Sequence, residues 1–97
     1  MEVRIQAIHF EIADRLTDFI NKKADRLARR YPDLAVFDAT LKVVKPETAM
    51  NKEVVVRIAV PGHDDVVATK IADSFEEALD LAIEAAERQL EKYKVKK

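Results

Sequence analysis

Basic side chains concentrated in two stretches of the chain are the residues best suited to contact another molecule. Six basic and two acidic residues lie between Arg15 and Arg30, and five basic and one acidic between Arg88 and Lys97. Each stretch therefore carries +4, and because the 97-residue chain has a formal net charge of −1, the remainder carries −9. The net charge alone argues against a nucleic-acid partner. The clustering of the basic residues in two stretches instead indicates two sites for an anionic partner.

The spacing within each stretch predicts cationic helix faces. Separations of seven, four and three residues place one set on the same side of a helix: Arg15, Lys22, Arg26 and Arg29, flanked by Lys23 and Arg30. In the second stretch Arg88 and Lys92 are four residues apart, with Lys94 beyond them. Two helices packed side by side could merge these stripes into one patch. Solvated helix faces with local ion pairs, such as Glu84 with Arg88, fit the periodicity equally well.

Catalytic and metal chemistry find little support in the sequence. His63 beside Asp64 and Asp65 is the nearest approach to a catalytic cluster, but adjacent acids after a Pro-Gly pair are typical of solvated turns. The chain has no cysteine, two histidines and one glycine, which excludes thiol nucleophiles, multi-histidine sites and glycine-rich phosphate loops. We expect a protein that is not an enzyme and needs no cofactor or metal.

Hydropathy periods predict the elements that carry these residues. Alternating apolar residues indicate strands over about 3–7, 35–43, 54–60 and 66–71. Apolar residues every three to four positions indicate one helix from Asp14 to the stop at Pro32 and another after the capping residue Ser74. The resulting fold class is α+β: a β-α-β-β-β-α two-layer sandwich, with a four-stranded sheet and two helices on one face.

Length and hydropathy predict one soluble domain over residues 1–97. The chain has 97 residues, 48% of them hydrophobic, which suits a single core. Its first residues do not resemble a signal peptide, and no apolar run approaches the roughly 18 residues that span a membrane. We expect a cytoplasmic protein.

Several segments resemble the ribosome hibernation promoting factors, a family also called ribosome-associated inhibitor A or sigma-54 modulation proteins. The last helix carries the resemblance in two places: Asp73, Phe75 and Ala78 at its start, then Arg88, Gln89, Leu90 and Lys92 near its end. The segments 8–10, 19–23 and 60–62 are also similar, so the resemblance spans nearly the whole chain.

The resemblance implies a fold similar to a double-stranded RNA-binding domain with an added first strand. It also implies binding to 16S rRNA of the 30S subunit, in the mRNA and tRNA channel at the A and P sites, and inhibition of translation under stress or in stationary phase. DNA and membranes are not implied as partners, and off the ribosome we expect a monomer. Residues matching the family's contacts are Lys22, Lys23, Arg26, Arg29, Arg30, Arg88, Lys92 and Lys94, with Lys42, Arg57 and Lys70 as weaker candidates.

Two departures from the family pattern are visible. Ala13-Asp14 stands where relatives often have threonine and proline. Because alanine is a poor cap, we expect the start of the first helix to rely on Asp14 or Glu11. The chain ends just past its last helix, from which we expect the short form of the family, without a C-terminal dimerisation domain.

A protein-interaction module that modulates sigma-54 or another protein is the alternative function. It would use the open face of the sheet, where Val36, Val44 and Val55 are expected to face outward.

Overall fold

The computed structural model describes residues 1–44 and 50–93, and its elements follow the predicted order. Strand β1 (Glu2–Ile8) and helix α1 (Asp14–Arg30) come first. Strands β2 (Val36–Val43), β3 (Lys52–Ala59) and β4 (Val66–Ala72) follow, and helix α2 (Phe75–Lys92) is last. The predicted α+β class and the order β-α-β-β-β-α are confirmed.

The four strands form one mixed sheet in the order β1-β2-β3-β4. β1 and β2 are parallel, because α1 supplies the long crossover that parallel neighbours require. The later connections, over 44–51 and 60–65, join antiparallel neighbours, as the sequence predicted.

One face of the sheet and the inner faces of both helices form the hydrophobic core. Alternate strand residues point into it, as with the fully buried cross-strand partners Phe37 and Ile58. α2 packs over β3 and β4, with Ala78, Ala82 and Ala86 buried along its inner face. α1 contacts β1 and α2. The sandwich therefore places the outer faces of both helices in solvent on the same side of the molecule.

The two helices begin differently. The Ser74 hydroxyl accepts a hydrogen bond from the Glu77 backbone N–H at 3.1 Å, which confirms the predicted cap of α2. At α1 the capping position is Ala13, and no side chain caps the helix. The helix begins at Asp14 as predicted, but the expectation that Asp14 or Glu11 would cap it is wrong. Asp14 instead contributes an acidic group to the first turn.

None of the helices in residues 1–44 and 50–93 is long and apolar enough to cross a membrane.

Candidate nucleic-acid interface

α1 and α2 lie side by side and run in the same direction. Three contacts join them in sequence: Lys23 to Asp80, Arg30 to Glu87, and Tyr31 to Glu91. Residue numbers increase together on the two helices from one contact to the next, which is the pattern of parallel neighbouring helices. The line of contact consequently has a cationic side on α1 and an anionic side on α2.

The groove between the helices has a volume of about 340 Å³. Lys23, Arg26 and Arg30 line it from α1, and Asp80, Glu84 and Glu87 line it from α2. The two predicted cationic stripes therefore do not merge into one patch, because acidic residues of α2 lie where α1 faces it.

Ion pairs across this groove have the geometry of charge-assisted hydrogen bonds. Lys23 Nζ lies 2.9 Å from Asp80 Oδ1, and Arg30 Nη1 lies 2.9 Å from Glu87 Oε2. The Lys23 ammonium also lies 5.2 Å from the centre of the Phe19 ring, within the range of a cation–π contact. Both cations are thus engaged within the protein.

The outward row of α1 is different. Lys22, Arg26 and Arg29 are exposed, and with Phe19 and Lys23 they surround a second groove of about 490 Å³. Within the described part of the chain, none of these three side chains lies within ion-pair distance of a carboxylate. We call Lys22, Arg26 and Arg29 the outer row. It presents cations to solvent in the groove that Phe19 also lines.

The predicted cations of α2 lie beyond the acidic side of the groove. Arg88 and Lys92 are exposed. Arg88 Nη2 is 3.9 Å from Glu84 Oε1, at the limit of an ion pair, and both side chains are about two-thirds exposed or more, at 71% and 66%. Such a pair holds the guanidinium only weakly. Lys94, the third predicted cation here, lies outside the described residues.

The three weaker candidates lie on different faces of the sheet. Lys42 and Arg57 are exposed on the open face, away from the helices, where Lys42 is the cross-strand partner of Glu53. Arg57 Nη1 lies 3.7 Å from Asp65 Oδ2. Lys70 is the partner of the buried Val54 and therefore belongs to the helix side of edge strand β4. Lys42 and Arg57 therefore lie on the face opposite the helices, whereas Lys70 lies on the side of the sheet that the helices cover.

Hydrophobic residues also occur on the open face of the sheet. Val36, Val44 and Val55, the residues that the alternative function required, are partly buried. Val67 and Ile71 of β4 are each 39% exposed on the same face as Val55. This face combines small apolar patches with mixed charges.

Tyr31, directly after α1, makes the last of the three contacts between the helices. Its hydroxyl donates a hydrogen bond to Glu91 Oε2 at 3.2 Å, and its ring is buried. Burial raises the pKa of the Tyr31 phenol above its ordinary value, and the hydrogen bond and negative charge of Glu91 raise it further. The phenol is accordingly held neutral as a hydrogen-bond donor.

The His63, Asp64 and Asp65 cluster belongs to the turn between β3 and β4. All three residues are exposed, and the His63 ring stacks against Tyr93. Among the described residues, no group of three or more histidine or acidic side chains could hold a metal ion.

The acidic side of the groove was not anticipated. Asp80, Glu84, Glu87 and Glu91 recur at separations of four, three and four, so their common helix face was visible in the sequence. Which element that face meets depends on how two helices separated by more than forty residues pack, and local periodicity carries no such information.

Comparisons with known proteins agree with the fold. The family model described as "Sigma 54 modulation protein / S30EA ribosomal protein" matches residues 3–97. No match is found among curated proteins. A solved structure from Coxiella burnetii, described as a ribosomal subunit interface protein, is 23% identical, with a TM-score of 0.85 over 99% of this chain and 100% of that one.

A second solved structure, the N-terminal domain of Thermus thermophilus Protein Y, is 22% identical. Its TM-score is 0.80, over 97% of this chain and 100% of that one. At these identities the two structures establish the fold, while the family model covers almost the whole sequence. The chain belongs to the Sigma 54 modulation protein / S30EA ribosomal protein family, the family of the ribosome hibernation factors.

Proposed function

We propose that this protein is a ribosome hibernation factor that binds 16S rRNA on the small ribosomal subunit and inhibits translation by occupying the mRNA and tRNA channel. The observation that carries the proposal is the outer row on α1. Lys22, Arg26 and Arg29 are exposed, project from one helix and have no carboxylate within ion-pair distance in the described part of the chain. Unpaired cations on a rigid element are suited to RNA phosphates.

The arrangement favours recognition of RNA shape over base sequence. Arginine and lysine side chains spaced along a helix contact phosphates, and such contacts fix position without reading bases. Phe19 lines the same groove as these cations, and an aromatic ring can stack with an unpaired base. A folded rRNA surface provides both kinds of group.

Two further facts support a ribosomal partner in the cytoplasm. The Coxiella burnetii protein of the same fold is described as a ribosomal subunit interface protein, and the family description includes a ribosomal protein. The mechanism we propose is steric and involves no catalysis. Arg88 and Lys92 on α2, and Lys94 beyond it, would extend the contact along the second helix.

Co-sedimentation with purified 30S subunits over a series of salt concentrations tests the proposal. Binding should weaken steeply with salt, since each phosphate contact releases counterions from the RNA. Arg26→Glu should reduce the bound fraction strongly. Arg4→Glu is the matched control, because it makes the same charge reversal on an exposed residue of β1, whose ion pair is with Glu2. Loss of binding in both variants to the same degree, or binding that is indifferent to salt, would contradict the proposal.

A translation assay provides the functional measurement. Adding the protein to a reconstituted system should reduce peptide synthesis in proportion to 30S occupancy, and Arg26→Glu should relieve that inhibition. Binding to 30S without inhibition would retain the ribosomal partner and overturn the channel-blocking mechanism.

The open sheet face supports one alternative, a protein-interaction module for sigma-54 or another protein. Val67 and Ile71 are exposed there beside the partly buried Val55. If this is the function, Val67→Ser should abolish capture of a single protein from nuclease-treated lysate and leave the bound fraction on 30S subunits unchanged. The hibernation proposal predicts instead that substitutions in the outer row of α1 reduce the bound fraction on 30S subunits.

A further inference from the structure

Asp80 and Glu87 already hold two of the predicted RNA-binding cations in the free protein. The N···O distances are 2.9 Å for both Lys23–Asp80 and Arg30–Glu87. A carboxylate and an RNA phosphate use the same donors on lysine and arginine. An RNA phosphate that approaches Lys23 or Arg30 must therefore displace the carboxylate or bind against its repulsion.

The outer row adjoins this groove. Arg26 and Lys23 line both the interhelical groove and the groove around Phe19. RNA bound along the outer row would consequently lie beside Asp80 and Glu87.

Exchange of partners needs no unfolding of either helix. One member of each pair is more than half exposed: the Asp80 side chain at 51% and the Arg30 side chain at 57%. Ion pairs of this exposure are held by small free energies, so rotation of side chains is sufficient to open them.

Glu84 and Glu91, the other two acids on this face of α2, have different partners. Glu84 Oε1 lies 3.9 Å from Arg88 Nη2 of the same helix, and Glu91 accepts a hydrogen bond from the Tyr31 hydroxyl. Only Asp80 and Glu87 form ion pairs with α1 in the described part of the chain.

We propose that Asp80 and Glu87 are intramolecular competitors of RNA phosphate, which lower the affinity of the α1 surface by occupying Lys23 and Arg30 until RNA displaces them. This inference rests on the proposed function. It makes two acidic residues determinants of RNA affinity.

Charge-neutral variants test the proposal. Asp80→Asn and Glu87→Gln keep side-chain size and a carbonyl oxygen but remove the negative charge. Each should tighten binding to 30S subunits about two- to fivefold, the range expected for releasing an exposed ion pair. The salt dependence of binding should steepen by up to about one power of salt concentration per released cation. Circular dichroism melting checks that each variant is folded. Asp80→Asn tests the pair with Lys23, and Glu87→Gln independently tests the pair with Arg30.

A matched control separates the specific pairs from general charge. The double variant Glu77→Gln with Asp64→Asn changes net charge as much as Asp80→Asn with Glu87→Gln, but both control residues are exposed and neither forms an ion pair with α1 in residues 1–44 and 50–93. The control should tighten binding less than the test pair. A double-mutant cycle is the sharper measurement. In a Lys23→Gln background, Asp80→Asn should no longer tighten binding to 30S subunits.

The outcomes distinguish this proposal from the one on which it rests. If the wild-type protein fails to bind 30S subunits, the proposed function is overturned. If the wild-type protein binds, the competitor role is overturned by unchanged or weaker binding of both variants, by an equal gain in the control, or by an undiminished effect of Asp80→Asn in the Lys23→Gln background.

Discussion

Tyr93 joins the end of α2 to the turn between β3 and β4 through the main chain of Asp64. Its hydroxyl donates a hydrogen bond to the Asp64 carbonyl oxygen at 3.0 Å. Its ring stacks on His63, with ring centres 4.3 Å apart and planes inclined by 12°. Gly62, at φ +82°, gives the turn a backbone conformation that other residues rarely adopt. These contacts hold the part of α2 that carries Arg88 and Lys92.

Removing the hydroxyl and removing the ring should have separable effects on stability. Tyr93→Phe should lower the free energy of unfolding by about 0.5–1.5 kcal/mol, the net value of one hydrogen bond. Tyr93→Ala should lower it more, since the stacking with His63 is also lost. Urea denaturation measures both. Equal losses in the two variants would show that the ring contributes nothing.

The uncapped start of α1 is a place where stability can be gained. Ala13 has the extended backbone of a capping residue, at φ −72° and ψ 147°, but no side-chain acceptor. Ala13→Ser should raise the free energy of unfolding by about 1 kcal/mol, because the serine hydroxyl can accept a hydrogen bond from a backbone N–H of the first turn.

Ser74 supplies the reciprocal control for that prediction. Ser74→Ala should cost about 0.5–2 kcal/mol at α2, where the cap already exists. Thermal melts of the two variants should shift in opposite directions. A destabilised Ala13→Ser would mean that the first turn of α1 cannot present its N–H groups to position 13.

Tyr31 should make the fold sensitive to alkaline pH. Its pKa is raised above 10.0 in the folded protein, mainly by burial and then by Glu91. Between the unfolded and folded pKa values the unfolded chain has lost the proton and the native one keeps it. The free energy of unfolding then falls as pH rises, by at most about 1.4 kcal/mol per pH unit for this group. Below the unfolded pKa the stabilisation is complete.

Tyr31→Phe checks the assignment of this pH dependence. In the variant, the free energy of unfolding should fall less steeply at alkaline pH, because the Tyr31 phenol no longer titrates. At neutral pH it should be lower by about 0.5–1.5 kcal/mol, because the hydrogen bond to Glu91 is lost. Urea denaturation from pH 8 to 11 provides the measurement. The same alkaline slope in both proteins would assign the decline to other groups.

Most of the fold could be predicted because each element has a strong period of its own. Alternation along β2 and β3 buries Phe37 and Ile58 together, and Ser74 identifies the start of α2 by its hydroxyl. The cap of α1 was mispredicted, since Asp14 and Glu11 are adequate by residue type alone. In the structure the capping position falls on Ala13, which has no polar side chain.

The candidate site could be predicted only in part, because contacts between the helices cannot be deduced from spacing along the sequence. The spacing of Lys22, Arg26 and Arg29 is a property of one helix, and the structure leaves all three exposed. The engagement of Lys23 by Asp80 depends on the packing of two helices against the same sheet, between residues 57 positions apart in the chain. Sequence spacing therefore placed the cations but could not show which of them are already paired.

The helix side, and not the open sheet face, should provide the RNA contacts. Arg29→Gln removes an unpaired cation of the outer row and should weaken binding to 30S subunits and lower the salt dependence by about one power of salt concentration. Arg57→Gln is the matched change on the opposite face, where the guanidinium lies 3.7 Å from Asp65. It should leave affinity and salt dependence unchanged, because a surface that binds through its helices keeps Arg57 directed away from the RNA. If Arg57→Gln weakens binding as much as Arg29→Gln does, the RNA reaches both faces, and the interface must be redrawn to include the sheet.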